Sequence, residues 1–224
     1  MSTFKGIDCL PLETQQMVLR AMSDIKTLVV TIHASPLMRR AFDSYSNPIL
    51  GEVLVMNTMK SAADVFPLAV ALNHLTTKFS SNQAASDPPG YNQKITNFCR
   101  SYLKNLHTFS IVDAGLSLKM AMNIESTYLR MVDIAQQFGM YVCDCAKIER
   151  GVSISESQRF LKAVYIYELA RVLFRTRIMN EDGTEYSTAL HTFWTSFAPW
   201  EAAQVQAFER FLQKLLVDKG QRSC

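Results

Sequence analysis

The 224-residue chain has no long apolar run, no block of one charge and little glycine. Its apolar stretches are short and broken by polar residues, below the roughly 18 to 20 consecutive apolar residues that a membrane span requires. No membrane segment is therefore expected. Residues 1–8 also lack the apolar stretch of a secretory leader, so none is expected there. No run of five or more Lys/Arg occurs and the net charge is only +3, so nucleic acid is not an expected partner. Glycine-rich phosphate loops, the G-x-S-x-G elbow and the H-E-x-x-H zinc motif are all missing, as is any D-D-x-x-D cluster for magnesium. No cofactor is expected. No repeat of fixed period and no low-complexity segment is present.

Cysteine is present but in an odd number: Cys9, Cys99, Cys143, Cys145 and Cys224, at irregular spacing. That pattern fits free thiols in a reducing compartment, the cytoplasm or nucleus. Cys143 and Cys145 form a C-x-C pair, but on a helix they point about 200° apart. The four histidines are scattered singly, so no metal site is expected.

What is there is apolar and helical. Hydrophobic residues make up 48% of the chain and charged residues 19%, enough for a substantial core. Apolar positions recur at helical spacing nearly throughout, and no two-residue hairpin signal separates alternating strands. The expected class is all-α: short helices first, then a larger irregular helical bundle. Helices are expected over residues 11–22, 25–34, from 36, from 47, and over 65–78 and 92–106. Further helices are expected over 117–146 (with a break near Gly139), from 153 or 155, through Leu190 and Phe193, and from 198, with a frayed tail over 218–224. Pro marks several starts, since the amide hydrogen it lacks is unpaired in a first turn anyway. Polar residues 80–90 and 180–185 read as a loop and a turn. Arg171, Arg175 and Arg177 form a basic stripe near one helix end, where cations complement the helix dipole. The eleven methionines suit irregular core gaps and adaptable surfaces. The chain divides at the sequence level into residues 1–56 and 57–224, packed as one unit.

Leu10-Pro11-Leu12-Glu13 opens a longer pattern. It continues through Val18, Leu19, Met22, Asp24, Ile25, Leu28 and Ile32 to Ser35-Pro36 and Phe42. This stretch resembles an F-box in the form common in fungal proteins. Ile154–Leu169 is similar to a helix of uncharacterised fungal F-box-like proteins, and Phe193–Glu201 resembles their Phe-x-Pro-Trp-Glu segment. The chain departs from the pattern at Thr14, Gln15 and Gln16, which are polar, and at His33. The resemblance implies a non-enzymatic protein-interaction module that docks an Skp-family adaptor and holds an unknown protein target for a cullin-RING ubiquitin ligase. The docking residues so implied are Leu10, Pro11, Leu12, Val18, Leu19, Met22, Ile25 and Leu28, an apolar helical surface of the kind that fills partner grooves.

Two other readings stand beside it. An F-box-derived scaffold that binds no adaptor would turn the same apolar residues into its own core. A helical enzyme or small-molecule binder would use Glu156, Arg159, Tyr165, Glu168, Trp200 and Glu201. Those six read more simply as a structural network: Glu156 and Glu201 sit at helix starts, where carboxylates cap, with Arg159 as the expected partner of one of them and Trp200 packed inward.

Overall fold

The structure, a computed structural model, describes residues 10–79, 87–111, 114–174 and 184–221. Cys9, Cys224, Arg175, Arg177, most of the 80–90 loop and residues 180–183 of the expected turn lie outside these residues. Among the described residues there are ten α-helices and no strand, the all-α class expected from the sequence. The chain forms two compact units. One comprises Met1–Phe66 and Phe109–Tyr128, the other Pro67–Thr108 and Leu129–Cys224.

The first unit is built on four short helices: α1 (Leu12–Arg20), α2 (Ile25–Ala34), α3 (Pro36–Ser44) and α4 (Ser46–Glu52). Helix α3 packs on α1 and α2, and α4 packs on α1. The caps are those the residue types favour. Asp24 accepts the Thr27 amide at 2.7 Å and Ser35 accepts the Met38 amide at 3.3 Å, with Pro36 in the first turn of α3. Ile25, Leu28 and Ile32 recur at i, i+3 and i+7, and all three are buried. Helix α1 ends at Arg20, two residues before the expected Met22. The reason is Asn57, whose side-chain amide donates to the carbonyls of Arg20 at 2.9 Å and Met22 at 2.7 Å. Asn57 reaches them from a π-turn over Val53–Thr58, which no pattern in the sequence announces. Gly51 in α4 is buried, and a Cβ there would lie 1.8 Å from Ile111 Cγ2, so only glycine allows this approach.

A carboxylate far along the chain completes this unit. Helix α5 (Phe66–Lys78) and α6 (Pro88–Ser101) precede α7 (Leu118–Ala146), whose residues through Tyr128 belong to the first unit. Glu125 of α7 is only 9% exposed. It accepts the Ile25 amide at 2.7 Å and the Thr58 hydroxyl at 3.3 Å. The Ile25 amide is one of the orphan donors at a helix start, so Glu125 satisfies from outside what α2 cannot satisfy itself. Glu125→Ala leaves a buried amide and a half-buried hydroxyl without this acceptor and is expected to destabilise the first unit by about 2 kcal/mol in a urea titration. Glu125→Gln keeps an acceptor oxygen and is expected to lose about half of that.

The second unit holds α5 from Pro67 onward, α6, the rest of α7, α8 (Ile154–Phe174), α9 (Thr184–Trp194) and α10 (Pro199–Gln221). Helix α6 packs on α9, and α8 packs on α10. Helix α6 starts at Pro88, where the sequence suggested loop, because Asp87 caps it by accepting the Gly90 amide at 3.1 Å. It stops at Ser101. A 3-10 segment over Leu103–Thr108 follows, in which Asn105 is non-helical, rather than the continuous helix expected to residue 106. Helix α7 runs through Gly139 unbroken. A Cβ at Gly139 would meet Phe160 Cδ2 at 3.1 Å and Val152 Cγ2 at 3.2 Å, so the glycine serves a close approach of α8 rather than a break. Helix α10 extends to Gln221, past residue 217, where fraying was expected. Phe138 is the hub of an aromatic cluster with Phe160, Phe208 and Phe211, at centroid distances of 5.1, 5.3 and 5.6 Å.

Candidate functional site

The expected docking residues divide by burial. Leu19, Ile25 and Leu28 are fully buried at 0% exposure and belong to the core of the first unit. Leu10, Val18 and Met22 are half-buried, while Pro11 and Leu12 are exposed. Pro11 occupies the cap position of α1 and its carbonyl accepts the Gln15 amide at 3.0 Å. Gln15, polar where F-boxes place an apolar residue, is itself buried. Its side-chain amide donates to the Leu10 carbonyl at 2.9 Å. The polar departure thus fixes the bend that carries Leu10, Pro11 and Leu12. Arg20 pairs with Glu52, which ties the other end of α1 to the end of α4. Leu12 is 46% exposed and Met17 65%, and Val30 on α2 is 61% exposed.

The three carboxylates of the expected network, Glu156, Glu168 and Glu201, each pair with a different cation. Glu156 forms a reciprocal capping box with Ser153. The carboxylate accepts the Ser153 amide at 2.8 Å and its hydroxyl at 2.5 Å, and the hydroxyl accepts the Glu156 amide at 3.3 Å. Arg150, not Arg159, is the salt-bridge partner of Glu156, at 3.0 Å. Glu201 is 6% exposed and sits at the third position of α10. It accepts the Ala198 amide at 2.8 Å and pairs with Lys162 at 2.6 Å. Glu168 pairs with Arg171 one turn on, at 2.7 Å, and Arg159 is exposed. Tyr165 is fully buried. Trp200 is 53% exposed instead of packed inward. The buried stripe of α10 runs through Glu201, Val205, Phe208 and Phe211, and Trp200, in the first turn, lies about 100° round the helix from Glu201.

The two capped starts respond to acid. The Ser153 hydroxyl and amide hold the Glu156 carboxyl below its ordinary range, and the Ser23 hydroxyl and Thr27 amide do the same for Asp24. A carboxyl lowered in the folded state stabilises fully above its unfolded pKa, about 4.3 for Glu and 3.9 for Asp. That stabilisation is lost as pH falls through the lowered folded value. Folding stability is therefore expected to decline from pH 5 toward pH 2. Ser153→Ala is expected to flatten that slope in urea titrations across the same range.

The thiols divide as well. Cys99 is fully buried, and burial pushes its thiol up to about 12, so it carries no thiolate near neutrality. Cys143 is half-buried and Cys145 exposed, and neither forms a disulfide. Among the described residues no group of three His, Cys, Asp or Glu side chains is arranged to hold a metal ion. Among them, too, no helix is long and apolar enough to cross a membrane.

One concave feature of the second unit went unread in the sequence. A groove of about 630 Å³ opens between α8, α9 and α10. None of Glu156, Arg159, Tyr165, Glu168, Trp200 and Glu201 lines it. Helix α8 lines it with Tyr167, Ala170, Arg171 and Phe174. Helix α10 offers Ala202, Val205, Gln206 and Glu209, in the same i, i+3, i+4, i+7 spacing. Leu190 and Trp194 close it from α9. No local pattern marks Ala170 and Ala202 as the floor of a cavity.

No family model matches the chain, and no curated protein or solved structure matches it either.

Proposed function

We propose that the chain is a non-enzymatic, F-box-like interaction module that docks an Skp-family adaptor through Leu10, Pro11 and Leu12, flanked by Val18 and Met22. The reading carries with it a role as the target-holding subunit of a cullin-RING ubiquitin ligase, acting in the cytoplasm or nucleus. One observation supports it above the others. Pro11 and Leu12 of the Leu-Pro-Leu bend are exposed and Leu10 is half-buried, while Gln15, whose side-chain amide holds the Leu10 carbonyl, is buried. An apolar tripeptide held at a helix start by a buried amide is a preorganised contact, and preorganisation lowers the entropic cost of docking.

In this reading Leu19, Ile25 and Leu28 act indirectly, by setting the angle between α1 and α2. Their complete burial also favours a second reading, the F-box-derived scaffold that binds no adaptor. Calorimetric titration of the full chain with an Skp-family adaptor separates the two. Docking predicts saturable binding in the micromolar range or tighter. Leu12→Asp is expected to weaken it at least tenfold, about 1.4 kcal/mol, with helicity by circular dichroism unchanged. Absence of binding at 100-fold higher adaptor concentration selects the scaffold.

A further inference from the structure

The groove of the second unit has the walls and the charge of a ligand site, independent of any adaptor docking. Its volume of about 630 Å³ is that of a small-molecule pocket. Three helices enclose it, which suits a compact ligand better than an extended peptide. Ala170 and Ala202 face it from α8 and α10, and their short side chains leave the space open. Tyr167 and Trp194 supply aromatic walls on different helices. The Tyr167 ring packs edge-on against Phe208 at 5.2 Å, and Trp194 packs against Phe193 at 5.1 Å in the same manner.

The polar groups set the sign of the charge. Arg171 lines the groove, but its guanidinium is matched within α8 by Glu168 at 2.7 Å. Glu209 lines it from α10 and forms no ion pair among the described residues. Among the described residues the remaining charge at the groove is therefore negative. The Tyr167 phenol lies in this field: burial, and then the charges of Glu168 and Glu209, push its titration up against the opposing charge of Arg171. Gln206 beside Glu209 adds a neutral donor and acceptor. Aromatic faces attract cations as carboxylates do.

We propose that the groove between α8, α9 and α10 binds a small aromatic molecule carrying one positive charge, its ring system between Tyr167 and Trp194 and its cation toward Glu209. The ligand's apolar part lies over Ala170, Ala202 and Val205. Its charge is what discriminates it from neutral or anionic molecules of the same size.

The test is fluorescence titration of the full chain with two flat dyes, the cationic thioflavin T and the anionic anilinonaphthalene sulfonate. One-to-one saturable binding of the cationic dye is expected, about tenfold tighter than that of the anionic dye. Glu209→Lys, on an exposed position, is expected to reverse the preference, weakening the cation by about tenfold. Ala202→Trp fills the groove and is expected to abolish binding of both dyes. Equal or stronger binding of the anionic dye overturns the proposal, as does a cationic dye that fails to saturate. Cation binding unchanged by Glu209→Lys overturns it too, and does so even if Ala202→Trp fails to fold.

Discussion

Replacing Phe138 by alanine is expected to cost about 4 kcal/mol, the largest effect of any single change in the second unit. Phe138 is 1% exposed and lies at the meeting point of three helices. Its ring contacts Phe160 from α8 edge-on, and Phe208 and Phe211 from α10. Truncation removes the transfer free energy of the ring and leaves a cavity whose walls are themselves rings. Those walls cannot collapse inward easily, because Tyr167 also holds Phe208 and Tyr141 also holds Phe211. Aromatic pairing adds roughly 0.5–1.5 kcal/mol per pair beyond area, and three pairs are lost together. Phe138→Leu keeps most of the volume and is expected to cost about half as much. Urea titration of the full chain measures both. A cost below about 1 kcal/mol for Phe138→Ala means that the cluster does not organise this unit.

The second large effect separates core from surface in the first unit. Leu28→Ala is expected to cost about 3 kcal/mol, since Leu28 is fully buried between α2 and its neighbours. Leu12→Ala, 46% exposed, is expected to stay within about 0.5 kcal/mol of the parent. The two leucines belong to one sequence pattern and are expected to behave oppositely in two assays. If the proposed docking holds, Leu28→Ala is expected to weaken it only as far as it unfolds the unit. Leu12→Ala is then expected to weaken docking in a protein that remains as stable as before. Equal stability costs for the two would place Leu12 in the core and remove the basis for a docking role.

Local signals were readable from the sequence. Ser23 or Asp24 before Ile25 marks the start of α2; Asp24 is the cap, and the helix spans Ile25–Ala34 as expected. Ser153 with Glu156 three residues on is a capping box visible in the letters alone, and the hydrogen bonds form. Proline read less surely. The rule that opened α3 at Pro36 also applies at Pro88, yet the neighbouring Asp87, Pro89 and Gly90 pulled that stretch toward loop. Asn57 and Glu125 could not be read at all. Each completes a helix end 35 to 100 positions away in sequence, and no local pattern marks a mid-chain amide or carboxylate as someone else's cap.

The division of the proposed docking residues between core and surface was hidden for a related reason. Periodicity assigns a residue to an apolar face but does not say what covers that face. Leu12 and Leu19 both read as apolar positions of α1, and only packing makes one 46% exposed and the other fully buried. Gln15 is the instructive case. Its polarity read as a departure from the motif, whereas its amide holds the Leu10 carbonyl and so fixes the motif's geometry. The groove followed the same logic, since its floor is made by what Ala170 and Ala202 lack.

Amide hydrogen exchange of the full chain, with and without an Skp-family adaptor, tests the docking claim most directly. The account predicts slowed exchange over residues 12–18, at the start of α1, where Leu12 and Met17 are exposed. It predicts unchanged exchange over α8 and α10. Slowing confined to the second unit, or no slowing anywhere at saturating adaptor, would contradict it.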